Sequence, residues 1–145
     1  MARLVLALAV VAVAAVVGEI IRRRRAVDPP TQPRYLAPVQ LDRRDFDGAG
    51  WLLAVFSSET CGTCADVVHK AEVVRSDEVD VQVVTYQARP DLHARYAIDA
   101  VPCVVIADAD GVVHRSFIGP VTATDLWAAV AEARQPGSIP RGDCD

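Results

Sequence analysis

Trp51-Leu-Leu-Ala-Val-Phe-Ser-Ser-Glu-Thr-Cys-Gly-Thr-Cys64 is the stretch that decides the architecture. Its first six residues form a continuous apolar run, the pattern of a strand covered on both faces. The polar stretch from Ser57 to Thr60 ends that strand. From Cys61 the spacing turns helical, with Val67, Val68, Ala71 and Val74 at i, i+1, i+4 and i+7. A Cys-x-x-Cys therefore stands where a buried strand gives way to a helix. A thiol at that place faces the unpaired amide donors of the helix start, which favour the thiolate, and only the thiolate attacks a disulfide. One helical turn also brings the two Cα atoms about 5–6 Å apart, within disulfide range. Cys61 is expected as the exposed nucleophile and Cys64, one turn into the helix, as the buried resolving thiol.

Downstream, the elements alternate. Ser76-Asp77-Glu78 breaks the helix, Val81–Tyr86 reads as a second strand, and Pro90–Ile98 suits a short helix with proline in its first turn. After Val101-Pro102, the segment Cys103–Ala107 is a third buried strand. Asp108-Ala-Asp-Gly111 makes a tight turn into a hairpin partner, Val112–Phe117. Thr122-x-x-Asp125 caps a last helix with Leu126, Trp127, Val130 and Ala131 on one face, and Pro136 and Gly137 end it. Strand–helix–strand order implies parallel pairing through right-handed crossovers, with the late hairpin as an antiparallel edge. The class is an α/β sandwich. His69, His93 and His114 stand singly and read as surface or capping residues, while Asp108 and Asp110 read as turn formers.

Upstream, the eighteen residues from Leu4 to Ile21 are interrupted only by Gly18 and Glu19. As a helix they would span about 27 Å, just short of a hydrocarbon core of roughly 30 Å. Arg22 to Arg25 follow at once as a stop signal. The reading is a single membrane-spanning anchor. A cleaved signal peptide is the rival, with Ala12-Val13-Ala14 as its site, but that site lies inside the apolar run. The positive-inside rule places the domain in the cytoplasm, an extracytoplasmic domain being the alternative. Four prolines (Pro29, Pro30, Pro33, Pro38) mark the lead-in that follows as extended chain. The expected organisation is an anchor over 1–25, a Pro-rich linker over 26–37, one domain over 38–134 and a flexible tail over 135–145.

Composition excludes several classes. At 145 residues with 52% apolar and 23% charged side chains, the chain is not a disordered polar sequence. The net charge of −4 conceals +4 over residues 1–25 and −7 over residues 51–145. An acidic folded part argues against nucleic acid as a partner. Four cysteines are too few for a disulfide scaffold. Two other readings of the pair stand beside redox chemistry: half of a zinc site completed by Cys103 and Cys144, and two inert buried cysteines.

Taken together, the Cys61–Cys64 pair after a buried strand, Val101-Pro102 before another, and the hairpin with its closing helix resemble the thioredoxin family. The segment Leu92–Pro102, with Tyr96 and Ile98, is similar to the helix and loop leading to that family's proline. The resemblance covers 38–134. It implies a thioredoxin-like three-layer sandwich with a mixed central sheet, and a membrane-anchored thiol–disulfide oxidoreductase that needs no cofactor or metal. Its substrate would be a protein disulfide or dithiol, with an electron-donor or acceptor protein to recharge it. The resemblance also implies that Pro102 is cis and beside the pair, that the Val101 backbone pairs with the substrate chain, and that Cys103 lies near Cys61. There Cys103 is either packing or an auxiliary thiol. The chain departs from the family at Thr60, where tryptophan is usual, and at Thr63, where proline is usual. Val55 replaces a buried acid that accepts the proton of the resolving thiol, leaving Glu59 and Asp66 as nearby candidates. A basic residue on the second strand is replaced by Val83 or Val84. The reading from another class is a membrane-tethered binding module with structural or regulatory cysteines and no turnover.

Overall fold

The computed structural model describes residues 13–17 and 35–138. The expected anchor and Cys144 fall wholly or largely outside the described residues. Residues 13–17 are helical and exposed, and among the described residues no helix is long and apolar enough to cross a membrane.

After a 3-10 turn at Arg43–Asp45 come β1 (Trp51–Ser57), α1 (Cys64–Glu72), β2 (Val79–Thr85), α2 (Pro90–Arg95), β3 (Cys103–Ala107), β4 (Val113–Ile118) and α3 (Ala123–Arg134). The sheet order is β2-β1-β3-β4. β2 runs parallel to β1, as expected, but β3 is antiparallel to β1 and to β4. The expected parallel crossover between the second and third strands is thus corrected. Six helical residues rise only about 9 Å, too little for α2 to carry the chain back along a seven-residue strand. The chain turns at the end where β2 finishes and starts β3 from there.

Alternation along β1 and β3 divides the interior into two layers. Leu53, Val55, Val104 and Ile106 face α1 and α3, packing on Val67, Ala71, Leu126 and Val130. Leu52, Ala54, Phe56, Cys103 and Val105 face the other way, against Leu92, Ile98 and the lead-in residues Leu41 and Phe46. Thr122 caps α3 by accepting the Asp125 N–H at 3.1 Å. The buried stripe of α3 differs from the expected one: Leu126 and Val130 are joined by Ala129 and Ala133, whereas Trp127 is 52% exposed and Ala131 faces solvent. A residue one position after Leu126 is turned about 100° from the core-facing line.

His93 also differs from expectation. It is buried at 1% exposure, its ring set edge-on to Phe56 and Tyr86. Its Nε2 donates to the Val84 carbonyl at 2.9 Å, because a carbonyl only accepts. Burial pushes its pKa below the ordinary histidine value. The unfolded chain takes up that proton near pH ~6.5 while the folded chain does not, so stability is present above that pH and falls on acidification through it. His93→Phe is expected to flatten unfolding free energy against pH between 5 and 7. An unchanged slope would assign the effect to other groups.

The turn before β4 also holds the lead-in. Asp108 accepts the Asp110 and Val112 N–H groups at 3.0 and 2.9 Å, the expected turn chemistry. Gly111 has φ +81, and a Cβ there would come 2.0 Å from the Leu41 carbonyl oxygen. Only glycine lets the lead-in approach so closely. Leu41 N–H then donates to Gly111 O at 2.8 Å and Val113 N–H to Val39 O at 3.1 Å. Arg95 adds ion pairs to Asp42 and Asp45.

Candidate active site at the Cys61–Cys64 loop

β1 delivers its last residues directly into the cysteine loop. Ser57 and Ser58 are buried, Glu59 and Thr60 exposed. The helix starts later than the spacing suggests. Cys61 N–H donates to Ser58 O and Cys64 N–H to Cys61 O, two tight turns, and the first helical i→i+4 bond runs from Val67 N–H to Thr63 O. Gly62 disfavours an earlier start. Cys64 is therefore the first residue of α1 rather than one turn inside it, and Cys61 lies in the turn ahead of it.

The two sulfurs are bonded, with Cα atoms 5.4 Å apart. Cys64 is buried at 3% exposure, Cys61 is half-buried, and Gly62 and Thr63 are open to solvent. Cys61 is thus the sulfur a partner can reach. The Thr63 hydroxyl lies 3.7 Å from Cys61 Sγ, placed to donate to it when the pair is reduced.

The Val101–Pro102 peptide is cis. Pro102 is buried, Val101 half-buried, and the Pro102 carbonyl accepts the Gly119 N–H at 2.8 Å. Cys103 opposes Phe56 in the sheet, so Val101-Pro102 and the cysteine loop lie at the same end of it. Cys103 itself faces the α2 layer, on the opposite side of the sheet from α1. Burial, and secondarily the negative charge of Asp99, push its thiol up to about 12. Such a thiol is protonated at neutral pH, the environment of a packing residue rather than a nucleophile.

No carboxylate stands beneath the pair on β1. Val55 is fully buried on the α1 side, flanked by Val83 and Val104. Asp66 is exposed and paired with Lys70 at 2.6 Å.

Two residues that local spacing did not single out complete the loop. Ser58 and Gln87 join the cysteine loop to the turn after β2, with Gln87 Nε2 donating to Ser58 Oγ at 2.9 Å and its Oε1 accepting the Glu59 N–H at 3.0 Å. The one signal in the sequence is that both stand within two residues of strand ends that pair in parallel, Ser58 one after Ser57 and Gln87 two after Thr85.

No protein-family model matches the chain, and no curated protein matches it in sequence. Among solved structures it is similar to a chloroplastic thioredoxin z, at 22% identity and TM-score 0.54, over 59% of this chain and 80% of that one. It is also similar to a mutant thioredoxin from Halobacterium salinarum NRC-1, at 21% identity and TM-score 0.53, over 62% and 78% of the two chains. The fold is thioredoxin-like, a mixed α/β sheet with a bonded cysteine pair at the end of its first strand.

Proposed function

We propose that this chain is a membrane-anchored thiol–disulfide oxidoreductase. The observation that supports it best is the asymmetry of the pair, one reachable sulfur bonded to one buried sulfur at a helix start. In the reducing direction, the Cys61 thiolate attacks a partner disulfide and expels one partner thiolate, leaving a Cys61–partner bond. Cys64 then attacks Cys61 Sγ, expels the second partner thiolate and closes the Cys61–Cys64 bond, so two electrons pass to the partner. Val101 and Pro102 offer the edge along which the partner chain lies. An electron-donor protein reopens the bond, or an acceptor closes it if the physiological direction is oxidative.

The apolar segment 4–21 and the arginines after it support anchoring with the domain on the cytoplasmic side. A reporter active only outside the cytoplasm, fused after Asp145, is then silent. A bright reporter reverses the orientation. For the chemistry, the chain is expected to accelerate insulin precipitation by dithiothreitol, and Cys61→Ser to abolish that acceleration. A wild-type chain that gives none would leave the tethered binding module as the better account.

A further inference from the structure

One side chain outside the cysteine motif, Gln87, bonds Ser58 and Glu59 of the cysteine loop, and Ser58 in turn bonds Thr60 and Cys61. The backbone N–H of Glu59 can only donate, so Gln87 Oε1 is its acceptor, and this fixes the orientation of the Gln87 amide. Gln87 Nε2 must then donate to Ser58 Oγ. Ser58 Oγ also accepts the Thr60 N–H at 3.4 Å. With both lone pairs engaged, its own proton goes to Thr60 Oγ1, 3.0 Å away. The Ser58 carbonyl accepts the Cys61 N–H at 3.1 Å. Ser58 is buried, so water does not readily replace a bond lost there. The same clamp continues the β1–β2 pairing beyond the strands, since Ser57 pairs with Thr85 and Tyr86 N–H donates to Ser57 O at 2.8 Å.

We propose that Gln87 is a positioning residue for the Cys61–Cys64 pair, holding Cys61 at the spacing from which Cys64 closes the disulfide. The proposal rests on the redox reading above. A loop fixed in advance has already lost the freedom that ring closure requires, which raises the effective concentration of one sulfur at the other. The reduced pair and one oxidised glutathione give the Cys61–Cys64 disulfide and two reduced glutathione molecules, two electrons passing from the pair to glutathione.

The experiment equilibrates the full-length chain in glutathione redox buffers and measures the oxidised fraction. Gln87→Ala is expected to lower the equilibrium constant for closing the disulfide about tenfold, ~30 mV for a two-electron couple. It should also raise the population of the Cys61–glutathione adduct. Ser58→Ala should act in the same direction, and the double variant should fall short of the sum of the two, because both remove the Gln87–Ser58 bond. Gln87→Glu keeps the acceptor for Glu59 and loses the donor to Ser58, so it should fall between. If Gln87→Ala does not fold, as judged by denaturant unfolding, Ser58→Ala and Gln87→Glu decide the question. Folded variants whose constants stay within about twofold of wild type, or a strictly additive double variant, overturn the proposal. A wild-type chain that exchanges no disulfide with glutathione refutes the redox reading itself, a result visible without any variant.

Discussion

Cys64→Ser is expected to accumulate partners covalently bound at Cys61 and to lower turnover by at least about a hundredfold, because the resolving step disappears while the attack remains. Non-reducing electrophoresis reads the adduct directly. The buried position of Cys64 at the head of α1 makes it hard to replace, since a resolving thiol must come within bonding distance of Cys61 from inside the fold. Cys103 is the one free thiol among the described residues. Its burial in the other layer and its pKa pushed up to about 12 argue that it does not substitute. Cys103→Ser should therefore leave turnover unchanged. Adducts absent in Cys64→Ser but present once Cys103→Ser is added would make Cys103 a working thiol.

Val55→Asp carries the second large effect, and it has two signs. A carboxyl group at a fully buried position between Val83 and Val104 should cost about 2–5 kcal/mol of stability. The same group supplies a proton acceptor on the face that α1 covers. A buried thiol gives up its proton reluctantly, so in the native chain resolution should be the slower step near neutral pH. Val55→Asp should speed it severalfold. Val55→Asn imposes a similar burial cost without a base and serves as the control. Equal resolution rates in the Asp and Asn variants would show that another group already takes the proton.

Local pattern carried most of the elements into view. The run Cys103–Ala107 is a strand over its full predicted length, because five apolar residues between Pro102 and Asp108 leave no polar face for a helix. The Thr122 cap and the Asp108 turn were equally legible, since each is made by side chains bonding within a few residues. What the pattern misjudged depends on distant contacts. The reversal of β3 follows from the length of α2 and from which end of the sheet the chain leaves. His93 lies on a helix of six residues, too short for periodicity to separate a buried ring from an exposed one. The Gln87–Ser58 clamp spans 29 positions, and no local spacing encodes it.

The pinning of Val39–Leu41 against Gly111–Val113 has a mechanical consequence for a tethered enzyme. β4 begins at Val113 and reaches the level of Cys103 only at Ile118, so the lead-in is fastened at the pole of the sheet opposite the disulfide, about 20 Å away along a strand of this length. On the proposed anchoring, the domain hangs from its base and works from its tip. Were the Pro-rich linker expected over 26–37 extended throughout, it would add at most about 37 Å of leash at ~3.1 Å per residue. Bonds sitting at the lipid headgroups would then face the wrong pole, whereas disulfides held tens of ångströms clear of the bilayer fall inside the working radius. On that anchoring, such geometry would select clients by their height above the membrane before any side chain of the site had touched them.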